Sequence, residues 1–144
     1  MSADIIFYID KTKNPKQNPQ LSLNNASTDD SKLSFVAGDN VDVGIVFVYG
    51  TDIDTTMATG YVPRFLNLSI GTVGLDAPTV TTTNWYLSGS WGYTGSVNLL
   101  PFTSSFAGSA YIEPTMQLQV TGSDGKKQTV MLRKVNILNP VDVI

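Results

Sequence analysis

The sequence predicts an all-β fold, an antiparallel β-sandwich of jelly-roll-like or Ig-like kind with little or no helix. Three observations carry that expectation. Short runs alternate apolar and polar residues with the period of a strand. Clusters of Gly, Pro, Asn and Asp separate those runs. No helical period persists over about 11 residues, the window in which an amphipathic helix declares itself.

The elements follow in chain order. Residues 4–10 hold the β-favouring run Ile5-Ile6-Phe7-Tyr8-Ile9. Residues 10–31 read mostly as loop, because Asn14-Pro15 and Asn18-Pro19 punctuate the chain and Asp29-Asp30 is polar; Leu21-Ser22-Leu23 is a short strand candidate within it. Residues 32–37 carry Leu33 and Phe35, and Gly38-Asp39-Asn40 is a turn signal. Val41, Val43, Ile45, Phe47 and Tyr49 then share one face of a strand, with Asp42, Gly44, Val46 and Val48 on the other. The second face turns apolar towards its end, which predicts a central strand covered on both sides over its second half.

Residues 50–60 read as loop or one short helical turn, residues 63–72 alternate again, and residues 79–87 are rich in β-branched and aromatic side chains. The glycines of residues 88–95 predict turns or bulges. Residues 97–102 contain Pro101 and read as an edge or strand end. Residues 115–121 alternate Met116, Leu118 and Val120 against Gln117, Gln119 and Thr121; with the turn Gly122-Ser123-Asp124-Gly125 and the return strand over 128–138 they form a β-hairpin. Val130 and Leu132 have even parity but Val135 and Ile137 have odd parity. A slip of one residue exchanges the two faces, so a β-bulge or strand switch is expected near Arg133-Lys134.

A single sandwich domain is expected over 1–144, with residues 139–144 as a C-terminal tail. At this length a chain buries about 68–70% of its unfolded surface, enough for a core without disulfides or metal.

Composition removes most chemistry. The chain has no Cys and no His, so disulfides, thiolate nucleophiles, a Ser-His-Asp triad and the commonest metal ligands are all missing. Glu113 is the one glutamate, it precedes Pro114 in a turn-like stretch, and nothing in the sequence points to an aspartate that would pair with it as in a glycosidase. Asp52-Ile53-Asp54 has carboxylate spacing but lacks the rest of a calcium loop. Neither a P-loop nor a Gly-x-Ser-x-Gly elbow occurs. The reading is a non-enzyme with no cofactor and no metal.

Charged residues make up only 15% of the chain, and 12 acidic against 9 basic groups give a net charge of −3. Nucleic-acid binding through counterion release is therefore not expected. Lys11, Lys13 and Lys16 form one basic group and Lys126, Lys127, Arg133 and Lys134 another, both read as solvated loop and strand surface. No apolar run is long enough for a membrane helix, so no membrane insertion is expected. Met1-Ser2-Ala3-Asp4 lacks a basic leader region. Work outside a cell would then require release by lysis or within a particle.

Trp85, Tyr86, Trp91 and Tyr93 lie close together, interleaved with Gly and Ser. Such residues serve a core, a protein interface or a sugar-stacking platform, and all three readings stand at this level. A carbohydrate-binding module built on Trp85, Trp91 and Tyr93 is the alternative to a structural role. A small inhibitor docking on a host enzyme is a third reading.

The hairpin strand Met116-Gln117-Leu118-Gln119-Val120, the Asp-Gly turn, the Thr-containing strand Gln128-Thr129-Val130-Met131-Leu132 and the ending Val135-Asn136-Ile137-Leu138-Asn139-Pro140-Val141-Asp142-Val143-Ile144 make one pattern. It resembles the β-domains of bacteriophage tail-fibre and receptor-binding proteins over about 30 residues, a match of alternation plus tail. The resemblance implies a virion structural protein of tail fibre, baseplate adaptor or capsid surface. Its partners would be other virion subunits, with a homo-oligomer (trimer favoured) and a host-surface glycan as a further ligand. It also implies assembly in the host cytoplasm and release by lysis. It transfers no catalytic residue. Val141, Val143 and Ile144 are the assembly-tail candidates, since an apolar end needs cover.

Overall fold

The computed structural model describes residues 4–19, 33–49, 52–53, 65–71, 79–82, 85–88, 92–104, 106–122 and 125–140. The described chain is mostly strand, and no helix reaches seven residues, so the fold is all-β and sandwich-like. The strands are β1 (Ile5–Asp10), β2 (Ser34–Val36), β3 (Asn40–Tyr49), β4 (Asp52–Ile53), β5 (Phe65–Gly71), β6 (Thr79–Thr82), β7 (Tyr86–Ser88), β8 (Gly92–Asn98), β9 (Tyr111–Ile112), β10 (Thr115–Thr121), β11 (Lys127–Lys134) and β12 (Asn136–Leu138). Short 3-10 turns stand at Pro15–Gln17 and Leu100–Ser104.

The first sheet runs β1-β3-β8-β7, with β4 also on β3; the second runs β11-β10-β5-β6; the third runs β2-β12-β9. Alternation along each strand sends Phe7, Ile9, Val43, Ile45, Phe47 and Val97 of the first sheet into a core shared with Leu66, Leu68, Ile70, Met116, Leu118 and Val120 of the second. Phe35 and Ile137 close that core from the third sheet. On the flank, the Thr82 hydroxyl donates to the Ser96 carbonyl at 3.0 Å and ties β6 to β8. As expected, β3 is central, between β1 and β8, and Val48 on its second face is buried.

Antiparallel pairing dominates, but β1 pairs parallel to β3 and β2 parallel to β12. A parallel pair needs a long connection, and residues 11–39 supply one for the first pair. Residues 79–87 do not form one strand: β6 joins the second sheet and β7 the first. Gly92 and Gly95 lie inside strand β8, where turns or bulges were expected. The short-strand candidate at 21–23 and the loop at 24–31 lie outside the described residues.

The expected irregularity of the return strand is present in two parts. Opposite β10, Leu118 faces Met131 while Gln119 faces Thr129, so Val130 is the extra residue of a bulge. Then β11 ends at Lys134 and the chain crosses from the second sheet to the third, with the Val135 amide donating to the Pro114 carbonyl at 3.0 Å and the Asn136 amide to that of Leu33 at 2.8 Å. The bulge flips the parity, so Val130, Met131, Arg133 and Val135 are all buried.

Candidate functional site

The four aromatic candidates part company in the fold. On the β7–β8 pair Tyr86 faces Thr94 and Leu87 faces Tyr93, which puts Tyr86 and Tyr93 on opposite faces. Tyr86 is 67% exposed and Tyr93 only 6%. Trp85 is half-buried against the core and its Nε1 donates to the Thr82 carbonyl at 3.1 Å. Its ring covers Gly95, where a Cβ would stand 2.8 Å from the nearest ring carbon. Trp91 and the tail candidates Val141, Val143 and Ile144 lie outside the described residues. Trp85 and Tyr93 therefore pack against the protein, Trp85 in part, and of the described three Tyr86 is the one that stands mostly in solvent.

Burial pushes the Tyr93 phenol above its ordinary pKa of 10.0, because the anion loses hydration. The stability held by the neutral phenol is full below the unfolded-state pKa and is lost as pH rises from there through the folded-state pKa. Tyr93→Phe is expected to lose less stability than the wild type between about pH 8 and pH 11. Urea melts at the two pH values measure this; equal losses would contradict it.

A cleft of about 680 Å³ opens where β11 ends. Its floor and rim come from three places: Lys16 on the first 3-10 turn, Glu113 and Thr115 around the start of β10, and Leu132, Arg133, Lys134 and Asn136 across the strand switch.

Local sequence explains how each part is set. Asn14 caps its turn: Oδ1 accepts from the Lys16 amide at 3.0 Å, and the Asn14 amide donates to Gln17 Oε1 at 3.3 Å. Asn18, fully buried, then pins the loop. Its Nδ2 donates to the carbonyls of Asp10 at 2.9 Å and Val130 at 2.8 Å, and its Oδ1 accepts from the Asp10 amide at 3.1 Å. The carbonyl at the bulge residue thus finds its acceptor role filled by a side chain from the loop. Bulge and loop together hold Lys16 beside the end of β11.

Arg133 corrects the expectation of a solvated basic surface. It is 6% exposed, because the bulge turns its position inward, while Lys126, Lys127 and Lys134 are exposed as expected. The cleft is therefore lined by the exposed Lys16, Lys134 and Glu113 with a hydroxyl, an amide and the apolar Leu132, while Arg133 takes part from a buried position with its terminal guanidinium nitrogens out of reach of solvent. Such a concave mixture of one apolar surface and a few polar groups has the make-up of a small-ligand site. Among the described residues no group of three or more acidic side chains can hold a metal ion. No helix there is long and apolar enough to cross a membrane.

Sequence reasoning noted both basic groups but did not join them. The signals that point to the junction are the capping pattern Asn14-Pro15-Lys16-Gln17 and the parity change after Val130. Comparison with protein-family models, curated proteins and solved structures finds no match to this chain.

Proposed function

We propose that the chain is a non-enzymatic structural protein of a bacteriophage particle that works through protein–protein assembly as a homo-oligomer, with a trimer favoured. One observation supports this reading most. Tyr111, Leu138 and Val36 form a row across the third sheet, with Leu138 paired to both neighbours. Tyr111 is 50% exposed and Leu138 41%, and Val36 is half-buried beside them. The ends of this apolar row stand on the two short edge strands β2 and β9, and the apolar residues Val141, Val143 and Ile144 follow Leu138 in sequence. Exposed edges and apolar rows in small sheets are surfaces on which subunits add.

Leu138→Asp tests the reading. The wild type is expected to scatter light as an oligomer of the 15.5 kDa chain, and the variant as a monomer. The substituted side chain already reaches solvent, so the fold is retained, which a thermal melt checks. A wild type that stays monomeric at high concentration and matches the variant would overturn the proposal. Tyr86 alone gives no stacking platform, so nothing in the described aromatic segment favours the carbohydrate-module alternative.

A further inference from the structure

The edge of the first sheet carries an interaction surface separate from the third sheet. We propose that β1 pairs with β1 of a second copy, antiparallel and centred on Phe7, so that two first sheets join into one. Three observations converge on this pairing.

The first is an unprotected edge. β1 has β3 as its one neighbour in the sheet, so its other side ends the ladder. Free edges attract further strands, and folds blunt them with charge, proline, bulges or a covering loop. The edge strand β11 carries such devices: Lys127 and Lys134 in its sequence, the bulge at Val130, and the 3-10 turn Pro15–Gln17 packed beside it. Among the described residues β1 carries none of them from Ile5 to Ile9. That run is uncharged, free of proline and unbroken in its register with β3.

The second is the direction of the backbone groups. Along a strand the N–H and C=O of one residue point to the same side, and that side alternates. Asn18 accepts from the Asp10 amide at 3.1 Å, and its Nδ2 donates to the carbonyls of Asp10 at 2.9 Å and Val130 on β11 at 2.8 Å. Asn18 therefore sits on the side of β1 away from β3, and the Asp10 groups point that way. By alternation the groups of Tyr8 and Ile6 do the same. Asn18 closes the open edge at one end. At the other end the Asp4 amide turns to the Asp42 carbonyl at 2.8 Å. The window left is Ile6 to Tyr8.

The third is that this window is its own complement. An antiparallel partner centred on Phe7 sets Ile6 against the partner's Tyr8, and Tyr8 against the partner's Ile6. Both members of each pair point outward, so each pair exchanges both of its N–H···O bonds. The arrangement is isologous, with the same patch on both copies. Ile6, 38% exposed, and half-buried Tyr8 stand together on the outer face, and a β-branched residue beside an aromatic is a favourable cross-strand pair. An unrelated extended peptide would use the same backbone groups but would not call for this symmetry, so a second copy is the occupant.

The contact is short, which places it at the weak end of protein interfaces. Sedimentation of the full chain carrying Leu138→Asp, from about 10 μM to about 1 mM, tests the pairing with the third-sheet face disabled. A monomer is expected in dilute solution and a dimer towards the upper end, with a dissociation constant of about 0.1–1 mM. Adding Ile6→Lys, at an exposed position, is expected to weaken the dimer about a hundredfold, because pairing then brings two introduced charges onto one joined face. A thermal melt checks that the fold is kept. Amide hydrogen exchange locates the contact. The Ile6 and Tyr8 amides are expected to exchange about twofold or more slowly at the higher concentration, while those of Phe7 and Ile9, which face β3, keep their rates.

A Leu138→Asp chain that stays monomeric throughout, a dimer that Ile6→Lys leaves as tight, or a dimer whose Ile6 and Tyr8 amides exchange as fast as in the monomer would each overturn the proposal. The assembly reading stands or falls on the mass of the wild type in dilute solution, so the two failures are distinguishable.

Discussion

Replacing Asn18 by alanine is expected to destabilise the protein by about 3–5 kcal/mol, out of the roughly 5–15 kcal/mol that holds a domain together. The side chain is fully buried and satisfies three backbone groups: the Asp10 amide, the Asp10 carbonyl and the Val130 carbonyl. Alanine leaves all three without it, and each buried group left unmade costs about 1–3 kcal/mol. Compensation by water moderates the sum but does not cancel it. Asn18→Asp is a useful control, because it keeps the shape and the acceptor but turns a second acceptor on two carbonyls. It is expected to cost at least as much as alanine. Urea denaturation of both variants measures the effect, and a loss below about 1 kcal/mol would mean that the loop is not anchored as described. The same change should weaken the cleft, since Lys16 stands two residues from the anchor.

The second large effect is expected at Gly95. Alanine in a strand interior normally stabilises by about 0.5–1 kcal/mol relative to glycine, through backbone entropy. Here a Cβ would meet three carbons of the Trp85 ring at 2.8 to 3.0 Å, and that ring is held by packing and by its bond to the Thr82 carbonyl. Overpacking of this kind costs about 1–3 kcal/mol, so the steric term wins. Gly95→Ala is expected to lower stability by about 2 kcal/mol. In a Trp85→Ala background the same substitution should be neutral or mildly stabilising, because the obstacle is gone. Thermal or urea melts of the four proteins give the coupling directly. An additive result would show that the ring moves aside freely.

These two sites also separate what a linear reading captures from what it misses. The strand over Asn40–Tyr49 was legible because alternation is local: each residue's face follows from its neighbours' parity, whatever the partner strand. The hairpin of β10 and β11 was legible for the same reason, with Gly125 at a φ of +82° in its turn. Even the irregularity of the return strand announced itself through the change of parity between Val130 and Val135, although its two parts, the bulge at Val130 and the sheet switch at Val135, lie on either side of Arg133-Lys134, where it was expected. By contrast, the split of residues 79–87 between two sheets leaves no local mark, since both halves are equally β-favouring. The aromatic segment misled in the same way. Its composition is the same whether a ring packs on Gly95, as Trp85 does, or stands in solvent, as Tyr86 does.

By itself, then, the sequence determined an all-β chain, the faces of its long strands, the hairpin near its end and the loss of His- and Cys-based chemistry. Those follow from residue type and from a two-residue period, which need no knowledge of distant partners. The tertiary structure alone decided that β1 runs parallel to β3, that Arg133 turns inward, and that Lys16 meets Lys134 across one cleft. Each of those depends on contacts between residues far apart in the chain. The Asn18 amide reaching the Val130 carbonyl is the clearest of them, and local propensity carries no information about such a contact.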